Sequence, residues 1–510
     1  MIFIFYNYEG GNFMSERKYK PTWDSISSHQ TPEWFKDAKF GIYTHWGPYS
    51  VPAWGENTTW YSFAMYREAD RKINPAYHHH LREYGHPSEH GYMEFVDKFT
   101  GEKFDADEWA DIFAASGAKF AGPCAIHHDG LALWDSKVNS VNTMNFGPKP
   151  GRDFVKEQAN AFRKKGMKFA STFHHAFNWN WFPVWDPKMD CGRPENQGPG
   201  TFYPRLHAEG IAPDKKYHEW WLNQTKEVID NYQPDLIWFD FGVFLLQQRY
   251  RQEFMSYYYS QEEKWGKDVI VTFKEIGGGD FEKQFNFAPG TGIMDYEKGK
   301  LDHLTDNMWI TDTTIDSRSG WGYVKETGYK SPERLIHNLV DRVSKNGSLL
   351  LNVGPRPDGS IPEEAQFCLK EMGKWLEING DCIFGTRPWI LSEAKMKASH
   401  SEANSSGGSG GHFNESSEKR LTSEDFRFTT KGNSIYAICL GIPGDRVQVP
   451  NCTLHPDEIV QVTMLGSDAG PLDFQLHSAL EGSKEGLYIT MKDRPKSTIA
   501  CAFKIQLKEY

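Results

Sequence analysis

The feature that most narrows the fold is an order repeated along the first 390 residues, a helical stretch followed by a short apolar run. Asp107–Ser116 precedes Lys119–Ile126, and Phe154–Lys165 precedes Met167–Phe173. Tyr217–Tyr232 precedes Asp235–Phe239, Gln252–Trp265 precedes Val269–Phe273, and Pro332–Lys345 precedes Ser348–Val353. Apolar runs without polar alternation, each reached through a helix, read as parallel strands covered by helices. With the runs at Lys39–Tyr43 and Ile293-Met294, room exists for about eight strands. The expected fold class is α/β, a distorted (β/α)8 TIM-like catalytic barrel. An open doubly wound sheet is the alternative, but no GxGxxG or phosphate loop follows an early strand.

The pattern changes near residue 390. All 18 Trp lie between Trp23 and Trp389. Beyond them come a Gly/Ser-rich stretch, Ser401–Glu418, and then short alternating runs at 426–429, 434–440, 458–465, 487–491 and 498–507. Gly/Ser-rich sequence reads as a flexible loop or linker. Period-2 runs at this spacing read as a C-terminal antiparallel β-sandwich. The expected division is an N-terminal extension at 1–19, a barrel at 20–389 and a sandwich domain at 390–510, with the Gly/Ser-rich loop at 401–418.

Composition removes several classes of function. The net charge is −11, with no basic stripe, so nucleic acid is not an expected partner. No run approaches the ~20 apolar residues of a spanning helix, so no membrane partner is expected either. Seven cysteines without a CxxC pair read as small buried hydrophobes. Met1–Tyr6 is apolar but lacks a basic n-region, so the default expectation is cytoplasmic, with a secreted or periplasmic location left open. Self-association is also left open.

In a parallel barrel the active site lies at the C-terminal ends of the strands. The apolar runs end in His45-Trp46, His127-His128-Asp129, His174-His175, Asp240, Lys274-Glu275, Asp295-Tyr296-Glu297 and Asn352. Carboxylates among imidazoles and indoles at one barrel mouth are the parts of a glycosidase, one nucleophile or base and one acid. Asp240 sits amid aromatics in WFDFG. Trp46, Trp60 and Trp321 are candidates for stacking on a sugar ring. A metal site is not expected, because adjacent His127 and His128 on an extended strand end point apart and neither belongs to an HExxH or HxH. His78-His79-His80, with His86 and His90, reads as a solvated loop. No GxSxG elbow or catalytic-Cys signature is visible.

Several segments together resemble the α-L-fucosidases of glycoside hydrolase family 29. They are KFGIYTHWGPYSVPAWGENTTWY at Lys39–Tyr61, HHDG at His127–Gly130, PDLIWFDFG at Pro234–Gly242, WGY at Trp321–Tyr323 and NGSLLLNVGPRPDGSIP at Asn346–Pro362. The resemblance implies a retaining exo-glycosidase that removes terminal α-L-fucose from a fucosylated oligosaccharide or glycoconjugate, without cofactor or metal. It assigns the nucleophile to Asp240 and substrate binding to His45, Trp46, Trp60, His127 and His128, with Trp321 near the pocket. His174 stands where the family has a Tyr-rich strand end, and is taken as a further substrate-binding candidate. The chain departs from the family's pattern at Thr59, where Glu is common, and offers only Lys274 near a usual Arg.

The acid/base position shifts between subgroups of the family. MDYEKG followed by WITDTTI and WGY resembles the subgroup whose acid falls on Glu297. Glu275 is the alternative, but three glycines follow it, a poor support for a proton donor. Two rival functions remain on this reading: a catalytically inactive glycan-binding protein on a glycosidase fold, and a metal-dependent hydrolase using the His cluster.

Overall fold

The computed structural model describes residues 17–68, 75–197, 201–274, 286–318, 320–395, 412–415, 420–450, 454–477 and 485–509. Eight parallel strands close into a barrel in chain order. They are β1 (Phe40–Thr44), β2 (Phe120–Ile126), β3 (Lys168–Phe173), β4 (Leu236–Phe239), β5 (Ile270–Lys274), β6 (Ile293–Asp295), β7 (Trp309–Thr314) and β8 (Gly347–Val353). β8 pairs back onto β1, with Phe40 opposite Leu349 and Thr44 opposite Val353. β1, β2 and β8 are buried along their whole length, as strands packed by helices outside and by side chains inside must be.

Four of the helices around the barrel start where side-chain oxygens take up their unpaired N–H groups. Asp105 accepts from the amides of Asp107 and Glu108 to start Ala106–Ala115. Asp153 caps Phe154–Lys164 and Asp214 caps Lys215–Tyr232. Ser331 caps Pro332–Ser344, where Pro332 occupies a first-turn position that needs no donor. The stretch read as one helix at 252–265 is two, Gln248–Tyr259 and Gln261–Trp265.

The histidine run at 78–80 is helical rather than a solvated loop. It lies on Ala76–Glu83, with His79 and His80 buried and their Nδ1 atoms 3.0 and 3.3 Å from the Tyr61 hydroxyl. A helix turns one face inward, and an aromatic-rich interior accepts neutral imidazoles there.

The second unit starts with β9 (Arg387–Lys395) and continues through β10 (Asp425–Lys431), β11 (Ser434–Cys439), β12 (Arg446–Pro450), β13 (Ile459–Met464), β14 (Asp473–His477), β15 (Gly486–Thr490) and β16 (Cys501–Leu507). These form two antiparallel sheets, β13-β16-β11-β10-β9 and β12-β15-β14, around their own core of Phe426, Phe428, Val449, Leu487 and Phe503. The α/β barrel followed by a β-sandwich is as the sequence pattern predicts.

A buried ion cluster fastens the two units together. Asp341, on helix Pro332–Ser344, lies 2.7 Å from Arg427 Nε of β10 and 3.0 Å from Lys345 Nζ. Burial alone would raise the Asp341 carboxyl; Arg427 and Lys345 outweigh it and hold it well below the usual carboxylate range. Asp341→Ala would leave two buried cations short of their counter-charge, and is expected to cost about 3–5 kcal/mol in denaturant unfolding. A loss below about 1 kcal/mol would contradict this. Because the folded carboxyl is the stronger acid, its stabilisation is present above the unfolded value of about 3.9 and drains away as pH falls below it.

Candidate active site

The strand ends converge on a cavity of about 430 Å³ at the C-terminal mouth of the barrel. His45, Trp60, His127, His174, Asp240, Lys274, Glu297 and Trp321 all line it, together with Asn57, Thr59, Phe241, Lys298, His412 and Phe413. β4 delivers Asp240 at its end, and the chain leaves through Gly242, whose φ of +92° is readily adopted only without a side chain. A second cavity of about 300 Å³ lies on the loops beside Asp129, Trp179, Tyr217 and Trp220. Asp129 is its only lining carboxylate.

Lys274, the last residue of β5, organises the main cavity. Its ammonium lies 3.3 Å from Asp240 Oδ1, 2.9 Å from Glu297 Oε2 and 3.1 Å from Asp312 Oδ2. Burial would lower the Lys274 pKa, but these carboxylates outweigh it and drive it upward, so the amine stays charged. Burial would likewise raise Asp240. Lys274 and the ring of His128, 3.1 Å from Oδ2, hold it well below the ordinary range. Asp240 is therefore an anion. Its Oδ1 faces the Lys274 ammonium.

The imidazoles form a one-way hydrogen-bond chain. Asn352 Oδ1 can only accept, so His45 Nδ1, 2.8 Å away, must donate. His45 Nε2 then accepts from His174 Nε2 at 3.1 Å, which leaves His174 Nδ1 to accept from the Cys124 thiol at 3.2 Å. Burial pushes the thiol's pKa up, so it keeps its proton. Burial also takes His45 down to about 3 and, with neighbouring imidazoles, His127 and His174 well below their usual value. All three rings are neutral.

Three placements differ from the sequence reading. Trp46 does not line the cavity. It is buried against Phe99, Phe104, Trp109 and Phe154, and its Nε1 donates to the Arg356 carbonyl at 2.8 Å. Successive residues at a strand end face opposite sides, so with His45 pointing in, Trp46 points to the core. His128 lies fully buried behind Asp240 with its ring stacked on Trp181, so it holds the carboxylate rather than the open cavity. His127 and His128 also do not point apart: they follow β2 and their centroids are 4.6 Å from each other. Glu275 lies outside the described residues.

Lys274 as a bridge, and His412 and Phe413 as lining residues, were not foreseen. The last two lie within the Gly/Ser-rich stretch at 401–418, whose composition hides them; their one signal is the aromatic pair HF.

The geometry sits in a known family. The α-L-fucosidase family profile matches residues 9–381. The chain belongs to the α-L-fucosidase family. Human plasma α-L-fucosidase is 33% identical over 380 residues, 74% of each chain. The α-L-fucosidase of Dictyostelium discoideum is 28% identical over 96% of this chain and 95% of its own. Among solved structures, Thermotoga maritima α-fucosidase in complex with a mechanism-based inhibitor superposes with a TM-score of 0.72 at 28% identity, covering 96% of this chain and all of that one. As a member of the α-L-fucosidase family the protein is a glycoside hydrolase, with fucosylated glycans as its substrate class.

A metal requires separate treatment, because the fold gathers what the sequence keeps apart. Nitrogens of His45, His127 and His174 lie within 4.8 Å of one another. The Nε2 atoms of His45 and His174 already share a proton, which a cation would have to displace. Activity on an aryl fucoside is accordingly expected to survive prolonged EDTA treatment. Loss on chelation, restored by zinc or manganese, would support the metal-hydrolase alternative.

Proposed function

We propose that this family member is a retaining exo-α-L-fucosidase, with Asp240 as nucleophile and Glu297 as acid/base. The observation that carries the reading is the pair of contacts to Lys274. Two carboxylate oxygens sharing one ammonium at 3.3 and 2.9 Å are separated by no more than those lengths laid end to end. That falls short of the about 6.5–9.5 Å that inverting enzymes need for an intervening water, and suits the retaining spacing of about 5–5.5 Å.

Asp240 attacks C1 of fucose through Oδ1, the oxygen that His128 does not hold. Its bond forms as the C1–O bond to the aglycone breaks, and Glu297 gives its proton to the leaving oxygen. Water then attacks C1, Glu297 takes its proton, and the Asp240 carboxylate leaves with fucose released in its original configuration. His128 keeps Asp240 oriented throughout. In the ester the negative charge of Asp240 is gone, so the Lys274 ammonium is left to Glu297 and Asp312. Neutral His45, His127 and His174 meet sugar hydroxyls. Trp60 and Phe241, stacked 5.9 Å apart, form an apolar wall suited to the C6 methyl. A galactoside would leave its extra hydroxyl unpaired against such a wall.

Asp240→Gly should cut turnover by several orders of magnitude, with added azide restoring part of it as the inverted β-fucosyl azide. Near wild-type turnover, or an α-azide, would falsify the assignment. Glu297→Ala should nearly abolish cleavage of fucosylated sugars while slowing 2,4-dinitrophenyl fucoside far less, since that leaving group needs little protonation. A uniform loss on both substrates would exclude Glu297 as the acid.

A further inference from the structure

A segment of the second unit, between β9 and β10, returns to the active site. Residues His412–Glu415 run beside Glu297–Lys300 and bond to it like a neighbouring strand. Glu297 N–H donates to His412 Nδ1 at 3.0 Å, Phe413 N–H to the Glu297 carbonyl at 2.8 Å, and Glu415 N–H to the Lys298 carbonyl at 2.9 Å. Lys300 N–H donates to Asn414 Oδ1 at 2.8 Å. The segment is pinned at its far end: Glu415 is buried and accepts from Lys330 Nζ and Asn338 Nδ2, both at 2.7 Å, and from the Thr313 hydroxyl. Burial would raise its carboxyl, but the charges of Lys330 and Arg342, with the Thr313 hydroxyl, hold it down at about 2.

Phe413 is conspicuous on two counts. The residue is 60% exposed, and its φ is +53°, a region bulky residues rarely enter. Strain and exposure together would relax in an untethered loop. Here the bonds on either side of Phe413 keep its ring at the rim of the cavity, next to Glu297.

We propose that His412–Glu415 is a strap that completes the active site, with Phe413 as the platform for the sugar on the leaving-group side and His412 as a positioning residue for Glu297. The proposal rests on Glu297 being the acid. A proton donor must sit at the glycosidic oxygen, so what borders Glu297 on its open side borders the leaving sugar. An exposed aromatic ring there suits the apolar face of a pyranose. His412 must offer Nδ1 as an acceptor, which only a neutral ring with its proton on Nε2 can do. Burial first and Lys274 second hold that ring down at about 4, so it is neutral under ordinary conditions.

The test uses the full chain and two substrates: α-L-fucosyl fluoride, whose leaving group is one atom, and a fucosylated disaccharide that the wild type cleaves. Phe413→Ala should raise KM for the disaccharide by about tenfold more than for the fluoride, and Phe413→Trp should restore it. His412→Ala should lower kcat for the disaccharide by about tenfold more than for the fluoride, and His412→Asn, which keeps an acceptor, should recover part of it. Equal losses on the two substrates, or no recovery by Trp and Asn in chains that unfold at the wild-type temperature, overturn the strap. Glu297→Ala, assayed alongside, separates the two ideas. If it shows no preference between the substrates, the acid assignment and the role of His412 fall together, while the KM ratio of Phe413→Ala still decides the platform.

Discussion

One buried ammonium orders the catalytic end of this barrel. Taking Lys274 out of water costs several kcal/mol unless opposite charges surround it. Asp240, Glu297 and Asp312 supply them at 3.3, 2.9 and 3.1 Å, and the rings of Trp238 and Trp321 each lie 5.0 Å from it. A single cation cannot balance every carboxylate in reach, so Asp295 keeps its proton. Burial first, and then the charge of Asp312, push Asp295 well above the carboxylate range; burial takes Asp312 to about 6 even against the pull of Lys274. Asp295 receives the Trp238 indole N–H and the Asp312 amide, and Asp312 receives the Tyr43 hydroxyl. Negative charge is thereby left at the mouth of the barrel, where a sugar would meet it.

Most of the barrel was legible in the sequence because a strand buried on both faces leaves an uninterrupted apolar run. The strand ends then named six of the cavity's polar lining residues, His45, His127, His174, Asp240, Lys274 and Glu297, and the family resemblance added Thr59 as a departure from its pattern. What the pattern could not supply was direction. Trp46 and His45 are neighbours in sequence, yet one enters the core and the other the cavity. His127 was read from its immediate neighbour, while its position follows from His45 and His174 on other strands. Lys274 looked like a substitute for an arginine; that it bridges two carboxylates depends on β4, β5 and the turn after β6 ending at the same height. The strap was hidden by its own surroundings, since Gly and Ser advertise flexibility and say nothing of the four residues that follow them.

The two units are joined by charge as much as by apolar contact. Asp341 reaches the sandwich through Arg427, and Glu415 reaches the barrel through Lys330, both inside the protein. Each acid meets more than one donor, the condition under which a buried ion pair is costly to break. Such contacts allow little relative movement, which suits a rim that one unit supplies to the other.

The histidines at the mouth carry a liability of their own. His45, His127 and His174 are all held neutral well below the usual imidazole value, chiefly by burial. In the unfolded chain each would take up a proton once the pH falls below about 6.5. Below that point every such ring shifts the balance toward the unfolded chain by about 1.4 kcal/mol per pH unit. The arrangement that keeps the sugar-facing surface uncharged thus makes the folded protein vulnerable to acid, and any compartment in which it works must either stay above that range or stabilise it by other means, a bound glycan among them.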